Sequence, residues 1–371
     1  MRVVICGGGV MGASIAYFLS LRGVEVTVVE RSGVACAASG KSGGFLALDW
    51  CDVSPLQPLA RRSFALHGEL AETLQADWGY RRLETLGVLA SDSRDFSSNR
   101  ALCTLPWLGP ETAVHGWLGT EASTAQVHPG EFTKAMMQEA EARGARLRLG
   151  AIESVRLGDD GKRATGVVVD GAVLEADAVV IAMGPWSVLA CQWLPLPAVH
   201  GLKGHSFVFR YQPPSKPHAL FLEYEDEWGE IDSPEVFPRA DGTTYVCGAR
   251  GHDPLPIDPD HITIESGPSA GLMRQIERFA PDLAVSEIIA TQACYRPVTE
   301  DGLPLIGPVS GVSGAYIATG HSVWGILNAP ATGEAMAELL VDGEANLDLS
   351  GFDPARLRVL PAAAVETASA L

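Results

Sequence analysis

The sequence predicts an α/β chain in which a parallel-sheet, dinucleotide-binding domain is interrupted by an antiparallel-sheet α+β domain and then resumed. Three observations predict it. Residues 1–30 hold a strand, a glycine turn, a helix and a second strand in the order of a nucleotide-binding unit. From Leu202 to Ile257 short alternating segments replace this texture, separated by Pro-rich breaks. A buried strand and a helix then return at 315–341.

Val3 to Cys6 reads as a buried strand, and Gly7, Gly9 and Gly12 form the G-x-G-x-x-G turn. Ala13 to Leu21 reads as a helix stopped by Gly23, and Val24 to Val29 as the next strand. Gly7 permits the tight turn, Gly9 lets backbone approach a pyrophosphate, and Gly12 with Ala16 lets helix and strand pack closely. The helix N-terminus offers N–H groups and a positive dipole end to phosphates. Glu30 closes the second strand, where a carboxylate takes the two ribose hydroxyls. Residues 31–47 are small and Gly-rich until Phe45. They suit a segment lying along a cofactor and donating backbone N–H groups to it, or a flexible surface loop.

Leu59, Phe64, Leu66, Leu70, Leu74 and Trp78 carry helical spacing over 56–78. Gly87–Ala90 reads as a strand and Asp92–Pro110 as irregular. Pro129–Arg143 reads as a helix, with Pro near its start and Gly144 as its stop. Arg146–Leu149, Ala151–Leu157 and Gly166–Val169 are short strands between Asp-Gly turns. Ala178–Ala182 is a buried strand. Segments 206–210 and 243–248 alternate as antiparallel strands do. Residues 262–279 become helical from Ala270, Ile288–Tyr295 returns to strand, 315–320 is the last buried strand, and the last helix starts near Ala329 and ends near Val341. The domains are then 1–80, 121–197 and 291–371 for nucleotide binding, with 81–120 and 198–290 as the insert.

A net charge of −18 disfavours nucleic acid and anionic membrane surfaces. Seven cysteines without C-x-x-C pairs or His clusters read as reduced thiols, with no zinc site and no disulfide framework. No apolar run reaches the length of a membrane span. The chain is expected in the cytoplasm, or in a plastid or mitochondrion if it is a processed form.

Four motifs carry a family resemblance: CGGGVMG (6–12) with Glu30; AASGKSGG (37–44); AMGPWS (182–187); and YRPVTEDGLPLIGP (295–308) with TGHSVWGILNAPATG (319–333). The chain resembles the D-amino-acid oxidase and glycine/sarcosine oxidase family of FAD-dependent amine oxidoreductases, from Val3 to Arg356, and the last motif pair most resembles glycine oxidase. The resemblance implies a Rossmann-like FAD domain with an inserted substrate domain, the glutathione-reductase-type, D-amino-acid-oxidase fold. It implies FAD rather than the NAD that the first motif alone would allow. Gly7, Gly9, Val10, Met11 and Gly12 would hold the pyrophosphate. Glu30 would hold the adenosine ribose, and Arg31 would sit close by. Ala38, Ser39, Lys41, Ser42, Gly43 and Gly44 would line pyrophosphate and flavin, and Ile152 or Val155 the adenine. Ala182, Gly184 and Trp186 would support the cofactor from the strand end. Gly320, His321, Val323, Trp324, Gly325, Ile326 and Leu327 would lie by the flavin's pyrimidine edge, with the next helix directing its N-terminus there.

In the family, the residue matching Arg296 grips a substrate carboxylate with a planar guanidinium, which Lys cannot match. The alternative is a salt bridge to Glu300 or Asp301. The reaction implied is oxidation of a small amine or amino acid by hydride transfer from a C–N bond to flavin N5, with hydrolysis of the imine and electrons passing to O2 or another acceptor. No general base is assigned. His321 and His205 are polar neighbours of the flavin or satisfied structural residues. Tyr224, Tyr245 and Trp324 are pocket walls or core. A Lys that sarcosine-type members carry for oxygen is replaced near Val246 or Cys247, which leaves open a dehydrogenase feeding a quinone or carrier. A non-catalytic flavoprotein is a further reading, ranked last because Arg296 is present. Cys294 stands one residue away from the spacing of members that attach FAD covalently, so FAD is expected to be non-covalent and Cys294 an ordinary buried thiol. The acidic run 222–232 is a solvated hairpin edge, or a pocket wall selecting a cationic substrate.

Overall fold

Strand Arg2–Cys6 lies inside a six-stranded sheet, flanked in parallel by Glu25–Glu30 and Ala178–Ile181. Arg146–Leu149 and Ala315–Thr319 extend it in parallel, and Leu305–Pro308 closes one edge antiparallel. The structure is a computed structural model that describes residues 1–94 and 105–365. The irregular stretch expected over Asp92–Pro110 therefore falls largely outside the described residues. Successive residues of these strands bury opposite faces. Val3, Ile5, Val26, Val28 and Val180 pack on helices Val10–Leu21, Gln57–Thr73, Pro129–Ala142 and Gly325–Asp342. Val4, Cys6, Val29, Val179 and Ile181 pack on a three-stranded meander, Ile152–Leu157, Ala164–Val169 and Ala172–Glu175, and on the turn after Ile181. The last meander strand was not expected from the sequence.

Two helices differ from expectation in instructive ways. The helix predicted over 56–78 ends at Thr73, because Leu74 turns extended (φ −94°, ψ 141°). Trp78 nonetheless keeps its apolar role, packing edge-on to Phe132 at 5.6 Å. The last helix starts at Gly325, four residues before the predicted start, and runs through Pro330. Proline has no N–H for the Ile326 carbonyl and normally breaks a helix. Here a neighbouring helix makes good the loss. His67 Nε2 lies 2.9 Å from Ile326 O and 3.2 Å from Leu327 O, and the Ala331 N–H donates to Ser63 Oγ at 3.0 Å. Ser63 and His67 are one turn apart, so one helix face supplies both partners. Close contact to the first helix needs Gly333, where a Cβ would stand 2.7 Å from the Ser14 backbone.

The larger sheet runs Ile288–Val298, His200–Phe209, Thr244–Arg250, Glu235–Pro238, His218–Glu225, Glu84–Ser91, Thr112–Gly119, with Ile231–Asp232 beside His218–Glu225. It was expected to be antiparallel, but His218–Glu225 and Glu84–Ser91 pair in parallel. They are far apart in sequence, so the connection between them is free to cross. Phe207, Phe209, Val236 and Val246 bury one face under helix Ser266–Phe279 through Leu272, Ile276 and Phe279. That leaves the opposite face, with its alternate residues, to a cavity between the two sheets. Arg296 sits on Ile288–Val298 and so reaches the cavity from this larger sheet. Among the described residues, no helix is long and apolar enough to cross a membrane.

Candidate active site

A cavity of about 260 Å³ runs from the end of the first strand to the face of the larger sheet. Its first half is shaped by glycine. Gly7 (φ +113°) has no room for a Cβ, which would lie 2.5 Å from Ala182 O; at Gly12 a Cβ would lie 1.9 Å from Gly7 O. Gly9 is different, since its Cβ would meet only Ser39 Oγ at 3.2 Å. Gly7 and Gly12 thus close the turn, and Gly9 leaves its cavity side open. The helix starts at Val10, three residues earlier than predicted, and its first free N–H donates to Ser39 Oγ at 2.9 Å. Glu30 lines the cavity; its Oε2 accepts from Gly8 N–H at 2.6 Å and its Oε1 from Ser32 N–H at 3.0 Å. These bonds fix the carboxylate where the second strand ends.

The Gly-rich segment is ordered along the cavity rather than a loose surface loop. Ala38, Ser39, Ser42 and Gly43 line it, whereas Lys41 and Gly44 do not. Gly44 (φ +77°) packs against Val127 O, and the Lys41 and Ser42 carbonyls accept from Tyr245 Oη at 2.9 Å and Arg239 Nη2 at 2.9 Å. Gly7, Gly9, Val10, Met11, Arg31, Ile152, Ala182, Gly184, Trp186, His321, Val323, Gly325 and Ile326 also line the cavity. Val155 instead packs in the core behind the first sheet, and Leu327 in the helical core. Gly320 (φ +82°) only shapes the turn. Trp324 packs edge-on to Trp50 at 6.3 Å, away from the lining. Tyr224 is buried beneath the far side of the larger sheet and hydrogen-bonded to Asp92. The acidic run around it is a hairpin whose Trp228, Glu230 and Ile231 are exposed, as the solvated reading expects.

The second half of the cavity is a row of side chains on one sheet face. Register places Arg296 opposite Leu202, Cys294 opposite Gly204, Gln292 opposite Ser206, and Ser206 opposite Cys247; Cys247 then faces Glu235, and Tyr245 faces Phe237. Directly opposed residues share a face. Arg296, Cys294, Cys247, Tyr245 and Glu235 therefore look into one space, and all five line it. Gly204 supplies the notch for Arg296, since a Cβ there would come within 3.3 Å of Nη2. Of the two carboxylates proposed as salt-bridge partners, Asp301 pairs with Arg356 at 2.7 Å instead, and Glu300 is exposed. Among the described residues Arg296 has no ion-pair partner within 4.0 Å. Cys294 corrects an expectation. It is not an ordinary buried thiol but a cavity wall, because it lies two residues from Arg296 and shares its face. Burial raises its thiol pKa, with Arg296 opposing.

Sequence reasoning missed Glu235. No motif marks it, and only the strand pairing brings it opposite Cys247. The Cys247 thiol donates to Glu235 Oε2 at 3.6 Å. Burial pushes the Glu235 carboxyl above its ordinary range, with Arg296 opposing. Segment 251–265 was also missed as part of the site. It crosses the cavity, contributing Ile257 and Pro259 to the lining. Trp186 Nε1 donates to Pro256 O at 2.7 Å, and Arg31 pairs with Asp258 at 2.8 Å. The buried Lys203 holds Asp253 at 2.7 Å and Glu265 at 3.0 Å, and His205 Nε2 accepts from Glu265 N–H at 3.0 Å. Trp186, Arg31 and His205 thus line the cavity while tethering this strap.

His321 is buried with Nε2 3.1 Å from Thr332 Oγ1, and burial lowers its pKa to about 3. Burial likewise lowers His67 to about 4, partly offset by its two carbonyls. Both imidazoles are neutral at pH 7. Their folded pKa values lie below that of an unfolded His (~6.5), so the unfolded chain binds the extra protons. Their stabilising contribution is complete above pH ~6.5 and is lost as pH falls toward their folded values. The slope reaches about 1.4 kcal/mol per pH unit for each histidine. Urea midpoints are expected to fall between pH 7 and pH 5; a flat profile would show that neither ring is held neutral.

The chain matches the model of the family described as "FAD dependent oxidoreductase" (DAO) over residues 2–339. It is 31% identical to a putative oxidoreductase of Schizosaccharomyces pombe over 95% of this chain and 97% of that one. It is 29% identical to a glycine oxidase of Geobacillus kaustophilus, over 95% and 96%. A crystal structure of glycine oxidase from Geobacillus kaustophilus superposes with a TM-score of 0.79 at 26% identity, covering 96% of this chain and 99% of that one. The glycine cradle, the carboxylate at the end of the second strand and the cavity they open onto fit the cofactor that this family binds, and the chain belongs to the DAO family of FAD-dependent oxidoreductases.

Proposed function

We propose that the chain oxidises the C–N bond of a small amine or amino acid that carries a carboxylate, with the electrons passing to O2. The observation that carries this is Arg296: a guanidinium on the cavity wall, given room by Gly204 and lacking a carboxylate partner among the described residues. A planar fork of donors left open in a cavity suits a bidentate anion. The similarity to glycine oxidase along the whole chain supports the same substrate class.

Gly7, Gly9, Gly12, Glu30, Ser39, Ser42, Gly43, Ala182 and Gly184 would hold FAD without a covalent bond. When bound, FAD supplies the two-electron acceptor that none of these side chains can be. The protein's share is position and environment. Arg296 fixes the substrate's carboxylate and so the orientation of its C–N bond, which is most of what such a reaction needs. Tyr245 is held by its bond to Lys41 O and forms a rigid wall of the same cavity. His321 stays neutral and adds no charge near the turn from Gly320 to Gly325.

The test is anaerobic photometry of the yellow protein against glycine, N-methylglycine, D-alanine, L-proline and ethylamine, followed by air. Bleaching by one of the carboxylates, with recovery in air and peroxide release, is the expected result. Bleaching without recovery would move the electrons to a quinone or carrier. No bleaching by any amine would overturn the proposal.

A further inference from the structure

We infer that Glu235 is the second pole of the substrate site: it receives the amino group of a substrate whose carboxylate lies on Arg296, so the substrate is an α-amino acid bound as its zwitterion. This rests on the amine-oxidation reading above. The geometry is that of one sheet face. Glu235 and Arg296 stand on strands separated by two others, His200–Phe209 and Thr244–Arg250, and both line the cavity. They are of opposite charge and within mutual electrostatic reach, yet do not close into an ion pair. A carboxylate and a guanidinium held apart in one cavity leave room for a ligand with the reverse pair of charges, and a desolvated charge without a full partner is costly.

The groups facing Glu235 are few. From Thr244–Arg250 come Cys247, a thiol that burial keeps protonated, and Tyr245, whose phenol is likewise held neutral. From Ile288–Val298 come Arg296 and the neutral Cys294; from His218–Glu225 comes Phe221, opposite Glu235 in register. Among the described residues Glu235 is thus the one carboxyl group of this wall. Cys247 occupies only Oε2, and Oε1 has no protein donor among the described residues. An ammonium has three donors to offer.

Such a contact does chemistry as well as binding. An amine must lose its ammonium proton before its nitrogen lone pair can support loss of the neighbouring C–H. One N–H bond breaks and leaves its electron pair on nitrogen, and the proton forms an O–H bond on Glu235. The products are a neutral amine and a neutral carboxylic acid, with no oxidant consumed. Burial that already raises the Glu235 pKa makes the carboxylate a better acceptor than one in water.

The experiment uses the FAD-loaded protein and its Glu235→Gln and Glu235→Asp variants. Two probes are used under anaerobic conditions: acetate, a carboxylate without an amine, titrated by its perturbation of the flavin spectrum, and the best substrate from the panel above, whose affinity is read from the concentration dependence of the rate of flavin bleaching. Glu235→Gln is expected to weaken binding of the amino acid by about 10- to 100-fold while leaving acetate as tight or tighter. The rate of flavin bleaching should also change its pH dependence. The wild type should be nearly level from pH 7 to pH 9, whereas Glu235→Gln should rise about tenfold per pH unit toward the pKa of the free amine. Glu235→Asp should restore the level profile in part. If Glu235→Gln weakens both probes equally, or keeps the wild-type profile, the inference is wrong while amine oxidation stands. If no amine bleaches the wild type, the broader reading fails first.

Discussion

Arg296→Leu is expected to lower kcat/KM for a carboxylate-bearing amine by between about 10²- and 10³-fold, or ~3–4 kcal/mol of transition-state binding. The loss combines the missing bidentate contact with the cost of leaving an anion unpaired in a cavity. Arg296→Lys should fall between, because an ammonium keeps the charge but not the fork. The decisive comparison is with an amine of similar shape that has no carboxylate. Its kcat/KM, low in the wild type, should change by less than about threefold. Equal losses on both substrates would mean that Arg296 organises the sheet face instead of gripping the anion.

Two glycines of the same motif should behave in opposite ways. Gly12→Ala puts a methyl 1.9 Å from Gly7 O, inside the turn itself, and Ile5 lies behind it at 3.3 Å. Neither backbone nor strand can give way, so a loss of about 3 kcal/mol or more of folding stability is expected, with little flavin retained. Gly9→Ala meets only a serine hydroxyl at 3.2 Å. The apoprotein should lose less than about 1 kcal/mol, but the methyl would stand on the side that phosphates approach, so flavin retention should drop while the fold survives. Thermal unfolding of both apoproteins, with the ratio of absorbance at 450 and 280 nm after gel filtration, separates the two. Equal destabilisation would refute the division of labour between them.

Much of this was legible because the relevant physics is local. The first strand, its glycine turn and Glu30 read directly from spacing, since a phosphate-facing helix start requires small residues at fixed offsets. Arg296 was legible from its motif and Cys294 was misread, although both lie on one strand. Motif spacing says nothing of which face a neighbour shares, and alternation does. Glu235 left no trace because its meaning comes from three strand pairings. The early start of the last helix was equally hidden. Pro330 argues for a helix beginning there, and only a histidine and a serine from another helix overrule it. Tyr224 shows the converse error, in which an aromatic near a plausible wall proved to be core on the other face.

The strap over 251–265 has a kinetic meaning. Opening that side of the cleft means breaking the Trp186–Pro256 bond, the Arg31–Asp258 pair and the double grip of Lys203. These differ in their exposure to solvent. Arg31 and Asp258 are partly exposed, so added salt screens them, whereas the Lys203 side chain is 1% exposed and is largely shielded from ions. Cofactor exchange should then behave as a latch with two bolts. Ionic strength slides the outer one and leaves the inner one closed, so the residence time of the flavin should shorten with salt only to a plateau.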